Sequence, residues 1–241
     1  MIQFFTIKIL KFFDYFHQKK IINFLLKRNI NKFDVVFDIG AHEGETVNLL
    51  LNNFVINEIY SFEPSPDTFL ILKKKTELIK KKKNTKLFLE NFAIGSTNKS
   101  VYLKQLKETS SSTINDINEN STYFRKKSFF LKKFDKDKFF NEVEVEQFPL
   151  KHYVKKKDIK IIDFLKIDTE GYEYEVLKGA EEILFKIKLI LFEHHYDDMI
   201  VKDYTFGDIH QLLKSFGFVM IKKTKMLFRK SFEYVYENQK I

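Results

Sequence analysis

The chain has 241 residues, 44% hydrophobic and 31% charged, which is the balance of an ordinary soluble globular protein with a sizeable core. It contains no cysteine, so disulfides, thiolate metal sites and cysteine nucleophiles are excluded. Its net charge of +9 does not point to a nucleic-acid partner, because arginines are few and the lysine runs Lys73–Lys75 and Lys80–Lys83 fall on or just after an expected helix, as a solvated face.

Residues 1–32 form an N-terminal amphipathic helical segment, with Phe5, Ile9, Phe12, Phe13 and Phe16 near helical spacing. Two readings stay open for it. It packs on the core, the favoured reading, or it lies at an interface and gives peripheral membrane contact. Lysines interrupt its apolar stretch, no run of about 18 apolar residues occurs anywhere, and no small-residue cleavage site follows, so neither a transmembrane span nor a signal peptide is expected. A cytoplasmic location, peripheral to a membrane in the second reading, is the expectation.

Residues 33–241 read as one α/β domain. A strand over 33–38 runs through a glycine turn into a helix over 44–53, and a strand over 58–62 leads to a helix over 66–82 with Pro66 near its start. Strands follow at 86–91 and 100–104, then an irregular insertion over 106–141, then an alternating strand over 142–148. A strand at 161–167, a helix from Glu173 to Leu184, a strand at 187–193 and a helix from Thr205 to Phe216 continue the alternation, with Gly217 as a stop signal. Two final strands at 219–222 and 227–236 read as antiparallel.

The turn Asp38-Ile39-Gly40-Ala41-His42-Glu43-Gly44-Glu45 after the first strand has the layout of a nucleotide-type site at the carboxyl end of a parallel strand. Its glycines allow the turn and a close ligand approach. Its acids, Asp38, Glu43 and Glu45, would repel a pyrophosphate, and the full G-x-G-x-x-G pattern is missing. S-adenosylmethionine has no phosphate and two cationic groups, which suits an acidic loop. Glu63 ends the second strand, 25 positions after Asp38, near the spacing at which an acid meets ribose hydroxyls.

Four blocks resemble the FkbM-type family of class I S-adenosylmethionine-dependent methyltransferases, over about residues 33–220. They are Phe37 to Gly44, Ser61 to Pro66, Phe92 to Gly95, and the most specific, Phe164-Leu165-Lys166-Ile167-Asp168-Thr169-Glu170-Gly171-Tyr172-Glu173 with Val176 to Ala180 after it. The family tends to carry Leu-Asp just before the last block, whereas here the sequence is Leu150-Lys151. The resemblance implies a Rossmann-like, mostly parallel seven-stranded sheet with an antiparallel C-terminal strand and helices on both faces. It implies S-adenosylmethionine as cofactor, with Asp38, Gly40, Ala41, His42 and Gly44 around the methionine part, Glu63 on the ribose, and Pro64, Asn91 and Ala93 near the adenine. Asp168, Glu170, Glu193 and His194 are the candidates for catalysis at the ends of the fourth and fifth strands, and which of Asp168 and His194 is the base stays open. No metal is expected, although Asp168, Glu193 and His194 would suit magnesium or manganese. The acceptor implied is a hydroxyl of a sugar, glycan or other small molecule. Methylation of RNA or protein, and a non-catalytic Rossmann-like binding role, are the alternatives.

Overall fold

The apolar runs lie side by side in a seven-stranded sheet. The computed structural model describes residues 17–80, 84–106, 112–125, 140–227 and 229–241, with the side chains of 78–80 and 106 excepted. The N-terminal residues Phe5 to Phe16, the lysines Lys81 to Lys83 and most of the stretch from Phe124 to Phe140 lie outside them. Among the described residues, no helix is long and apolar enough to cross a membrane.

The chain enters through helix α1, residues 17–27. It then runs through β1 (Lys32–Ile39), α2 (Glu45–Asn53), β2 (Val55–Phe62), α3 (Pro66–Lys80) and β3 (Lys86–Glu90). Next come β4 (Ala93–Gly95), β5 (Lys99–Leu106), β6 (Ser112–Thr113), β7 (Phe140–Pro149), α4 (Leu150–Lys156), β8 (Ile162–Ile167) and α5 (Glu173–Ala180). A 3-10 turn (Glu181–Lys186) leads to β9 (Ile187–His195), α6 (Phe206–Ser215), β10 (Phe218–Lys225) and β11 (Ser231–Asn238). The main sheet has the order β10-β11-β9-β8-β1-β2-β3. The β9, β8, β1, β2 and β3 strands are mutually parallel, and β11 runs antiparallel to both its neighbours. The chain works outward from β1 to β3, then returns to lay β8 on the other side of β1. That reversal opens a crevice at the carboxyl ends of β1 and β8.

Alternation along the strands feeds two cores. Phe37, Ile39, Leu165, Ile167, Ile190, Phe192 and Tyr234 pack under α4, α5 and α6. Val36, Phe164, Leu189, Leu191 and Val235 pack under α1 and α2. Ile21, Ile22 and Leu25 of α1 are buried in the second core, so the described part of the N-terminal segment is a core helix.

Three local features differ from the sequence expectations. The strands expected at 100–104 and 142–148 are the antiparallel pair β5 and β7 of a separate four-stranded sheet, order β4-β7-β5-β6. The lysine-rich segment after Pro149 is the helix α4, whose Leu150, Tyr153 and Val154 recur at helical spacing and are buried. The helix from Glu173 tightens to 3-10 winding after Ala180, which keeps Ile183 and Leu184 buried on the way into β9.

Candidate active site

Between β1 and α2 the chain turns back through Gly40 at φ +78° and Gly44 at φ +90°. The amides of Gly40 and Ala41 both donate to the carbonyl of Phe62 at 3.0 Å, which pins the turn to the end of β2. A Cβ on Gly40 would lie 1.9 Å from the carbonyl oxygen of Asp168, and one on Gly44 would lie 3.0 Å from a methyl of Leu72. The turn and the close passage of neighbouring chain therefore require these glycines.

A cavity of about 400 Å³ opens at this edge of the sheet. Of the residues singled out from sequence, Gly40, Ala41, His42, Glu63, Pro64, Ala93, Asp168 and Glu170 line it. Asp38, Gly44, Asn91, Glu193 and His194 do not. Glu63 is 4% exposed; its carboxylate accepts from the amides of His42 and Ser65, both at 2.9 Å. Burial raises its pKa. Asn91 supports the wall instead of forming it. Its side-chain amide donates to the carbonyls of Glu63 (2.8 Å) and Pro64 (3.1 Å), tying the segment after β3 to the end of β2. The ring of His42 lies 3.0 Å from the carboxylate of Glu45. Burial opposes its charge, but Glu45 outweighs burial and raises its pKa.

At the other end of the cavity stands a buried lysine. Lys166 on β8 is directly opposite Asp38 on β1, and its ammonium lies 3.4 Å from Asp38 and 3.2 Å from Asp168. Asp38 is wholly buried behind it. The neighbouring strand thus puts a counter-ion over Asp38, which does not itself line the cavity. Burial raises the pKa of Asp38 and opposes the charge on Lys166, but Asp168 and Asp38 together hold Lys166 above the ordinary lysine value. Burial works against ionised Asp168 too, but Lys166, with His195 and Arg229, outweighs it, so the Asp168 pKa is lowered.

The loop after Asp168 is fixed from below. Glu173, fully buried, accepts from the Thr169 hydroxyl (3.1 Å), the Gly171 amide (2.9 Å) and the Tyr204 hydroxyl (2.7 Å). Thr113 and Asn115, from the segment around β6, donate to the carbonyls of Glu170 (2.8 Å) and Gly171 (2.6 Å). These bonds hold Glu170 at φ +50°, a left-handed conformation that is unfavourable for a residue with a side chain.

On β9 the two-residue period places Glu193 and His195 on the α1 face and His194 on the other. His194 is therefore not brought to the cavity. Its ring packs among Tyr196, Tyr204 and Phe206, with ring centroids 4.8–5.8 Å away, and burial lowers its pKa to about 4. His195 does not line the cavity either; it lies 3.3 Å from Glu170, 3.3 Å from Glu193 and 3.6 Å from Asp197. Burial opposes its charge, yet these carboxylates raise its pKa to about 10. Burial lifts Glu193 to about 8. Asp168, Glu193 and His194 do not form a shared ligand set. Among the described residues, no three His, Asp or Glu side chains are arranged to hold a metal ion.

Lys166, Tyr172, Thr113 and Arg229 also line the cavity and were not singled out from sequence, whereas Phe92, which lines it too, falls between Asn91 and Ala93 in the stretch expected near the adenine. Lys166 stands two residues before Asp168, as His195 stands two after Glu193, so strand alternation carried a signal for both. Thr113 and Arg229 come from distant segments with no such signal.

The folded chain is similar to several solved structures. Methyltransferase FkbM from Methylobacillus flagellatus KT superimposes with a TM-score of 0.55 at 13% identity, over 84% of this chain and 43% of that one. The chain thus spans less than half the length of that protein. Magnesium protoporphyrin IX methyltransferase (ChlM) from Synechocystis PCC 6803 with bound SAH gives 0.55 at 10% identity, over 96% of this chain and 86% of that one. M. capricolum TrmK with S-adenosyl-homocysteine gives 0.50 at 13% identity, over 91% and 68%. At these identities the likeness is one of fold. A comparison with curated proteins gave no significant match. Residues 38–220 match the methyltransferase FkbM domain. That match covers most of the chain, from the last two residues of β1 to Met220 in β10, so the protein belongs to the FkbM family of S-adenosylmethionine-dependent methyltransferases.

Proposed function

We propose that the chain methylates a hydroxyl of a sugar, glycan or other small molecule, with S-adenosylmethionine as donor. The observation that carries this reading is Glu63. It is a buried carboxylate in the cavity wall, and two backbone amides use only part of its roughly four acceptor positions. The remainder suit the two hydroxyls of a ribose. Phe92, Ala93 and Ile94 give that end of the cavity an apolar wall fit for adenine. Glu45, Asp168 and Glu170, beside Lys166 and Arg229, add carboxylates to the lining that suit a cationic group. When bound, the cofactor supplies an electrophilic methyl group on its sulfonium.

The chain's own residues would position the acceptor. Asp168 lines the cavity and is held ionised, so it can accept a hydrogen bond from an acceptor hydroxyl and orient its oxygen. His195, with a pKa of about 10, is charged near neutrality and acts through Glu170 as a fixed cation rather than as a base.

Isothermal titration with S-adenosylhomocysteine tests the cofactor part. Binding is expected, and Glu63→Ala should weaken it at least about tenfold, because charge-assisted hydrogen bonds to ribose contribute roughly 1.5–3 kcal/mol. No binding by wild-type protein, or unchanged affinity in a folded Glu63→Ala variant, overturns the assignment. Methyl transfer to a panel of saccharides, against RNA and protein controls, tests the acceptor part.

A further inference from the structure

The acid that ends β1 does not reach the cavity, and the group standing between them is a cation. Asp38 is 0% exposed, and among the described residues Lys166 is its ion-pair partner. Neither of its carboxylate oxygens accepts a well-formed hydrogen bond. A buried carboxylate left uncompensated is strongly destabilising, so Asp38 and Lys166 depend on each other. The Lys166 ammonium also reaches the cavity wall and Asp168. One lysine therefore links a sealed carboxylate to an accessible one.

We propose that Lys166 is a positioning residue, whose ammonium, anchored on the buried Asp38, aims the Asp168 carboxylate into the cavity and keeps it charged. The proposal rests on the methyltransferase reading for its purpose, since an aimed, ionised Asp168 is what would orient an acceptor hydroxyl. It changes the part given to Asp38, which acts on the site through Lys166 and not by touching a ligand. Other groups face Asp168 as well. His195 from β9 and Arg229 from the loop before β11 favour its charge, whereas Asp38 and Glu193 oppose it. Lys166 pairs with it directly, its ammonium 3.2 Å from the carboxylate.

The test follows the Asp168 carboxyl by carbon-13 NMR, assigned by its loss in Asp168→Asn. Lys166→Met alone strands Asp38 and can fail to fold, so the informative pair is Asp38→Asn and the double variant Asp38→Asn/Lys166→Met, which has no stranded charge. In Asp38→Asn the Asp168 midpoint should stay below the ordinary aspartate value. In the double variant it should rise by about 1 pH unit or more, the usual effect of losing an adjacent opposite charge. Asp38→Asn/Lys166→Arg should restore the low midpoint. Equal midpoints in Asp38→Asn and the double variant overturn the proposal, as does a high midpoint in the arginine variant. Titration of wild-type protein with S-adenosylhomocysteine separates the two readings. Failure to bind overturns the cofactor reading, while the NMR midpoints decide the role of Lys166.

Discussion

Two adjacent histidines at the end of β9 have opposite fates because a strand alternates. His194 falls among aromatic rings, where burial lowers its pKa to about 4, and His195 falls among carboxylates, which raise its pKa to about 10. The second shift ties stability to pH. The folded protein holds the His195 proton more tightly than the unfolded chain, whose histidine titrates near 6.5. Its contribution is therefore fully present below that value and is lost as pH rises towards 10. Glu193, lifted to about 8 from 4.5, binds its proton more tightly in the folded state too, so its contribution also declines as pH rises through that interval. Thermal unfolding should thus show a melting temperature that falls from about pH 6.5 to pH 10, and His195→Gln should flatten the upper part of that fall. An unchanged profile in His195→Gln would place the effect elsewhere.

Helix α1 and the Asp168 loop show what an element contributes beyond its residues. The first described turn of α1 is pinned to β11 by His17, whose ring lies 2.8 Å from Glu233, and Gln18 beside it lines the cavity. Further along, Leu25 is wholly buried between α1 and the sheet. Leu25→Ala should cost about 2–5 kcal/mol by urea denaturation, as for other buried leucines. Deletion of residues 1–28 should abolish S-adenosylhomocysteine binding and bring aggregation, because it removes a cavity wall and uncovers the core below. A deletion that stays folded, binds with wild-type affinity and loses only liposome association would favour the interfacial reading instead. The Asp168 loop is held differently, by hydrogen bonds from two separate segments, Thr113 and Asn115 near β6 and Tyr204 before α6, that converge on its backbone and on Glu173.

At the scale of the whole molecule, the two sheets meet where α5 passes β4. A Cβ on Gly179 would lie 1.9 Å from the carbonyl oxygen of Gly95 and 3.4 Å from Cα of Pro149. Helix and strand touch backbone to backbone there, and the contact sets how the four-stranded sheet leans on the main one. Gly179→Ala must push α5 off β4, so it should destabilise the fold by at least about 1–3 kcal/mol despite alanine's better helix propensity. Because β4 begins at Ala93, directly after Phe92, and both line the cavity, the same displacement should weaken S-adenosylhomocysteine binding in calorimetry. A variant as stable as wild type would show that the two sheets can separate freely.

Periodicity and turn chemistry are local, and they made much of this protein legible in its sequence. The strands ending at Asp38, Glu63, Asp168 and Glu193 were readable as apolar runs closed by an acid, and those runs form β1, β2, β8 and β9 of the parallel sheet. Gly40 marked the turn, and Thr205 with Gly217 marked the limits of α6. Which of those acids faces the cavity was not local information. It depends on strand alternation combined with the neighbouring strand, which set Lys166 over Asp38 and left Glu63 and Asp168 open. The same holds for the second sheet, since β5 and β7 pair across more than thirty intervening residues, and for Thr113 and Arg229, which reach the cavity from remote segments. Composition and spacing fix what each segment can become, but long-range packing decides which charges are buried together, and that pairing determines which of them remain available to a ligand.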